Sequence, residues 1–305
     1  MHKNKINQLI ETAGTIILGK EHHLRLALTC LLARGHLLIE DVPGVGKTTL
    51  AHLLAKLLGL QYQRIQFTSD LLPADIIGVS IYDKETSAFR FQPGPVFSQL
   101  VLSDEVNRAS PKTQSALLEA MEENQITIDG QTLKLPQPFF VIATQNPVYQ
   151  IGTFPLPESQ LDRFLMRIEM GYPDKEAEHA LLLGENRHEL LAKTPPVLLP
   201  EELMALQEAA QQITASDRLV DYIQALLQQT RHSPDFIQGL SPRAGLSLLA
   251  AARAWALIQN RGHVLPEDVQ TVFPYVAAHR LHMQGDGRSA SADTIRRIIE
   301  SVALV

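Results

Sequence analysis

The sequence predicts an α/β fold in which a mostly parallel sheet lies between helices, carries two β-hairpin insertions and is followed by an all-α domain. Three observations predict this. The apolar run from His36 to Glu40 passes through a glycine-bearing loop into a helical pattern that begins near Lys47. Later apolar runs, Tyr62 to Phe67, Leu100 to Leu102 and Phe139 to Ala143, each end in polar residues, as strands covered on both faces do. After Gly171-Tyr172-Pro173 such runs stop, and apolar residues recur at helical spacing.

The elements follow in order. Ile6 to Gly35 reads as helices broken around Ile17-Leu18-Gly19-Lys20. Ile76 to Tyr82 and Ala88 to Phe91 alternate apolar and polar residues around DKETS, a hairpin pattern. Ile126 to Ile128 and Leu133 to Leu135 do the same around Asp129-Gly130, a favoured tight-turn pair. Helices are predicted over 176–191, 200–213, 217–229, 242–260, 266–281 and 292–302. Ser241-Pro242 marks a start, with a capping serine before a first-turn proline. The chain divides into a core (1–173), a connecting helix and linker (174–199, with Pro195-Pro196), and an all-α domain (200–305).

At 305 residues, 45% hydrophobic and 20% charged, the chain has material for two globular domains. Its net charge of −6 does not make nucleic acid the default partner. Cys30 is the only cysteine, which excludes an intrachain disulfide and fits a reducing cytoplasm. The apolar stretch Leu24 to Leu38 is interrupted by Arg25, Arg34 and His36, so no membrane insertion is expected. The polar start does not read as a signal peptide. His22-His23 show no metal-ligand spacing, and Trp255 and Cys30 read as core residues.

Chemistry concentrates in HLLIEDVPGVGKTTL. Strand, glycine loop and helix in this order form a phosphate-binding loop running through Asp41, Val42, Pro43, Gly44, Val45, Gly46, Lys47, Thr48 and Thr49. The glycines let consecutive N–H groups face one centre, Lys47 adds positive charge, and the helix N-terminus favours anions. Thr48 is positioned to hold Mg²⁺. Asp41 stands where the usual pattern begins with glycine. Asp104 and Glu105 close an apolar strand, so Asp104 is assigned to Mg²⁺, largely through water, and Glu105 to the general base. At another strand end, Asn146 is the candidate for contacting the γ-phosphate and attacking water; a turn asparagine before proline is the competing reading.

The runs VLSDEVNRASPKTQSALLEAMEENQITIDG, FFVIATQNP, PLPESQLDRFLMRIEMGYP and LSPRAGLSLLAAARAWALIQNRGHVLPEDV resemble the MoxR family of AAA+ ATPases. The resemblance covers nearly the whole chain and implies a P-loop NTPase core with a helical lid. It implies that Arg163, in LDRF, reaches the nucleotide of a neighbouring subunit; pairing with Asp162 is the alternative. It further implies that Arg243, in SPRA, reaches the phosphates of its own subunit from the lid. The turn at Ile17, Leu18 and Gly19 would pack on adenine, an N-terminal core-packing role being the alternative, and Arg108 is a further candidate for contact across a subunit interface.

The implied activity is Mg²⁺-dependent ATP hydrolysis by a homo-oligomeric ring, hexameric by resemblance, in the cytoplasm. It would drive chaperone-like remodelling of a client, often with a von Willebrand factor A domain protein as partner. Both hairpins would approach the central channel. A DNA-remodelling ATPase and a metal-chelatase motor subunit share this architecture, and a scaffold that binds ATP without turnover is a further reading. Hairpins bearing only Lys84, Arg90 and Lys134 as basic residues speak against DNA.

Overall fold

The computed structural model describes residues 2–146, 153–184, 187–285 and 287–304. The chain opens with α1 (His2–Ile16) and α2 (Glu21–Leu32), and Gly19 takes a left-handed φ of 68° in the break between them. β1 (His36–Glu40) leads through the glycine loop into α3 (Lys47–Leu57), followed by β2 (Tyr62–Gln66) and α4 (Pro73–Ile77). β3 (Gly78–Asp83) and β4 (Ala88–Pro93) form the first hairpin. β5 (Leu100–Asp104), α5 (Pro111–Glu123), the hairpin β6 (Gln125–Ile128) and β7 (Gln131–Lys134), β8 (Phe140–Gln145), α6 (Glu158–Leu161) and β9 (Phe164–Ile168) complete the core.

The sheet order is β2-β5-β8-β1-β9, with every pairing parallel. All polar strand ends therefore gather at one edge. β5 and β8 are buried along their whole length, which is why they read as continuous apolar runs.

Two sequence expectations change. Ile76 and Ile77 belong to α4, not to the hairpin, because Pro73 opens a helical turn and the Asp75 carboxylate accepts a hydrogen bond from Leu72 N at 2.8 Å. β9 was missed, since Arg167 interrupts its apolar run. That charge is accommodated because Arg167 Nη1 lies 3.0 Å from Glu40 at the end of β1.

Beyond β9 come α7 (Lys175–Leu183), α8 (Arg187–Lys193), α9 (Pro200–Gln211), α10 (Asp217–His232), α11 (Pro242–Ile258), α12 (Pro266–Ala277) and α13 (Ala292–Ser301). The helix expected over 176–191 is thus two helices, and residues 185 and 186 lie outside the described residues. Ser241 caps α11 as expected, its hydroxyl accepting from Ala244 N at 3.1 Å.

Two apolar clusters sandwich the sheet. One joins α1, α2, α3 and one sheet face to the C-terminal helices, and it contains Cys30 and Trp255. The other joins the opposite face to α5 and the base of the hairpins. α9 and α11 pack on α2, and α12 packs on β9. His22 fastens this junction, with its ring 5.8 Å from Trp255 and its Nε2 2.9 Å from Tyr275 Oη.

Candidate active site

The loop after β1 has the backbone its glycines require: φ is 86° at Gly44 and 95° at Gly46, the residue that precedes α3. An L side chain at either position would be strained. A Cβ added at either would meet nothing within 4 Å, so both face open space. Lys47 opens α3 and turns its ammonium back across the loop, donating to Asp41 O and, at 3.3 Å, to Asn146 Oδ1. Burial pulls its pKa below the ordinary lysine value, while Asp41, Asp104 and Glu105 act in the opposite sense. Val42, Val45, Thr48 and Thr49 are half-buried around this turn, and Pro43 is exposed.

Asp41 proves to be a structural tie. Its Oδ1 accepts from Val42 N at 2.7 Å and its Oδ2 from Gly171 N at 2.6 Å, fastening the loop to the segment after β9. Lys20 makes a parallel stitch, donating to Met170 O at 2.6 Å and Tyr172 O at 2.7 Å. Gly19 joins the same seam, where a Cβ would lie 3.1 Å from both Ala177 Cβ and Asp174 Oδ2. The turn named by resemblance therefore sits against the phosphate loop's anchor. A cavity of about 790 Å³ borders Gly19, Ile17, His22 and Arg25, but the phosphate loop does not line it.

The two acids at the end of β5 are held differently. Asp104 Oδ1 accepts from Thr144 Oγ1 at 2.6 Å, and its Oδ2 faces Arg64, with Nη2 at 2.6 Å and Nε at 3.1 Å. Glu105 adopts a left-handed backbone, φ 56°, which costs a non-glycine residue about 1–2 kcal/mol. Its amide donates to Thr144 Oγ1 at 2.8 Å. The carboxylate then receives Asn146 Nδ2 at 2.9 Å, Arg108 Nη1 at 2.9 Å and Gln66 Nε2 at 3.2 Å. Asn146 is buried and bridges Lys47 to Glu105, which favours a site role over a turn asparagine. Arg108 is paired with Glu105 of its own chain.

Thr48 and Asp104 offer hard oxygen donors beside a helix N-terminus, a set that suits Mg²⁺, which keeps several waters and takes few protein ligands. Among the described residues no group of three or more His, Cys, Asp or Glu could form a separate metal site.

Arg163 and Arg243 lie elsewhere. Arg163 immediately precedes β9, whose first residue pairs with His36 at the start of β1, whereas the phosphate loop leaves the other end. A five-residue strand separates them, roughly 13–17 Å. Arg163 pairs with Glu122 at 2.9 Å rather than with Asp162. Arg243 shares that Glu122 at 3.2 Å and approaches Asp162 at 4.0 Å. The expectation that Arg243 reaches its own subunit's phosphates is therefore corrected, because the start of α11 packs at the opposite edge of the sheet. Asp162 is held instead by Arg280, whose Nε lies 2.6 Å from Oδ1 and whose side chain is only 5% exposed. Sequence reasoning missed Arg280, Arg64 and Gln66, for none of them stands in a local motif.

Comparison with known proteins agrees with this geometry. Residues 36–166 match the family described as "ATPase family associated with various cellular activities (AAA)", and residues 228–301 match the AAA lid domain. The chain is 40% identical to Chaperone MoxR1 of Mycobacterium tuberculosis, covering 95% of this chain and 79% of that one. It is 32% identical to Protein MoxR of Methylorubrum extorquens over 94% of this chain and 91% of the other. A solved structure of a candidate ATPase from Cytophaga hutchinsonii superimposes with a TM-score of 0.90 at 37% identity, covering 100% of this chain and 96% of that one. With a core and a lid matched in order and relatives of this identity along nearly its whole length, the chain belongs to the MoxR family of AAA ATPases.

Proposed function

We propose that this ATPase works as a Mg²⁺-dependent ring of its own copies, six by resemblance, which remodels a partner protein. The observation that carries the reading is the split of its charged groups between two edges of one sheet. Lys47, Asp104, Glu105 and Asn146 gather at the strand ends, while Arg163 and Arg243 sit together at the opposite edge through Glu122. Phosphoryl transfer needs positive charge on the transferring group, and an arginine supplied by another subunit is worth about 10³–10⁵ in rate. A second copy that presents its arginine edge would complete the site.

In this reading Lys47 and the loop amides bind the phosphates, Glu105 takes the proton of the attacking water, and Asn146 orients that water. Thr48 and Asp104 would hold Mg²⁺, which when bound neutralises charge on the phosphates. Gly19 and the turn around it border the base, and Asp41, Val42, Pro43, Val45 and Thr49 shape the loop. Exposed apolar side chains on the first hairpin, Ile81, Tyr82 and Phe89, support a polypeptide client, as does a relative named a chaperone. A von Willebrand factor A domain protein is the partner class the resemblance implies. The cytoplasm is the location the resemblance implies, and no helix among the described residues is long and apolar enough to cross a membrane.

The test is a mixing experiment. Glu105→Gln is expected to retain ATP binding and lose turnover by about 10²-fold or more. Arg163→Ala alone should also be slow, yet mixing the two inactive proteins should restore part of the ATPase rate. No recovery at any ratio, in mixed assemblies shown to form by native mass spectrometry, would refute the shared site.

A further inference from the structure

We infer that Arg64 is a positioning residue that stands in for the metal cation on Asp104 and leaves it when the metal binds. This rests on the metal reading of Asp104 given above. Tyr62, Arg64 and Gln66 alternate onto one face of β2, the edge strand hydrogen-bonded to β5. In that register Arg64 is opposite Leu102 and Gln66 is opposite Asp104, so the long Arg64 side chain reaches forward to the acid at the strand end.

The contacts are directional. The Asp104 side chain is 10% exposed, and a carboxylate so buried needs a cationic or hydrogen-bonding partner on each oxygen. Thr144 serves Oδ1, and Arg64 serves Oδ2 through two N–H groups. Arg64 Nη2 also donates to Gln66 Oε1 at 2.7 Å. A guanidinium has no acceptor, so Gln66 must turn its oxygen to Arg64 and its NH₂ outward. That NH₂ meets Glu105 Oε2 at 3.2 Å. Asp104, Arg64, Gln66 and Glu105 thus form one chain whose two middle members both come from β2.

Oδ2 is the oxygen of Asp104 that Arg64 occupies, and a guanidinium and a metal ion repel each other there. Arg64 has somewhere to go. Its side chain is 48% exposed and lines a cavity of about 490 Å³ together with Thr48, Thr49, His52 and Tyr62. Arg64 therefore leaves Oδ2 when Asp104 takes a cation, and Gln66 loses the donor that fixed its amide. Glu105 is then released from one of its three side-chain donors, keeping Asn146 and Arg108. Arg64 thus acts as a latch on Asp104 until the metal arrives with the nucleotide.

The test titrates Mn²⁺ into the full chain with a non-hydrolysable ATP analogue and reads free Mn²⁺ by electron paramagnetic resonance. Arg64→Gln, and Arg64→Met with its aliphatic stem kept, are expected to bind Mn²⁺ roughly tenfold more tightly than wild type because the competing charge is gone. Arg64→Lys should stay near wild type. Unchanged or weaker Mn²⁺ binding in both neutral variants overturns the inference. Asp104→Asn in the same titration separates the two failures: if it leaves Mn²⁺ affinity unchanged, the metal reading of Asp104 falls and the latch with it. If it weakens binding while the Arg64 variants do not tighten it, only the latch falls.

Discussion

His36 shows how much one residue at the foot of β1 carries. Its buried ring accepts from Val141 N at 3.0 Å through Nδ1 and donates to Met121 O at 3.1 Å through Nε2, joining β1 to β8 and α5. Burial pushes its pKa down to about 4, the carbonyl contact opposing. An unfolded histidine titrates near 6.5, so the neutral ring contributes its full stability above that pH. The contribution is lost as pH falls from 6.5 to about 4, a span worth about 3 kcal/mol at most. His36→Gln can keep both hydrogen bonds without titrating. Denaturant midpoints measured from pH 7 to 4 should fall more steeply for wild type than for this variant, and parallel curves would show that His36 does not titrate with unfolding. Nothing in the sequence around His36 marks it, because its partners lie 85 and 105 residues away. Asp41 is similar: the sequence offers it as a substituted glycine, and only Gly171 N, 130 residues on, explains the carboxylate.

At the scale of elements, the hairpins and capped helices were legible because their signals are local. Asp129 and Gly130 take φ of 50° and 76°, the pair of positive values that a type I′ turn needs. The link between the two hairpins was not legible: Ser80 Oγ donates to Asp129 Oδ2 at 2.6 Å, so a load on one is felt by the other. Tyr82 and Phe89 meet edge to face at 5.4 Å near the first tip. Below them, the short turn before β9 depends on α12 and its continuation. Arg280 donates to the Asp162 carboxylate and to the carbonyls of Asp162, Phe164, Leu165 and Val276. Arg280→Ala would strip the guanidinium from the Asp162 carboxylate and these carbonyls, of which Phe164 O would keep its contact with His279 Nε2, at an expected cost of about 3–5 kcal/mol in chemical denaturation. A loss below about 1 kcal/mol would mean that water replaces the guanidinium.

The whole molecule is organised by its parallel sheet, which collects one set of charged groups at the strand ends and leaves another at the strand starts. This layout makes a distinctive claim about Arg243. If it serves a neighbour's site together with Arg163, then Arg243→Ala mixed with Glu105→Gln should regain activity, since one copy brings an intact base and the other intact arginines. Arg163→Ala mixed with Arg243→Ala should stay inactive, because each site would then receive arginines from one defective edge. The reverse pattern of steady-state rates would put Arg243 back in its own subunit's site.

By itself the sequence determined the α/β class and the family and picked out the glycine loop, the acid pair and Asn146 as candidates, because each is written in contiguous residues whose spacing reflects a local backbone requirement. The order of the strands, the existence of β9 with its half-buried Arg167, and the tie from Asp41 to Gly171 were decided only in three dimensions. So were the pairing of Arg163 and Arg243 on Glu122 and the hold of Arg64 on Asp104. The reason is physical: a charge is tolerated inside a fold only beside its partner, and which partner that is depends on how distant segments pack.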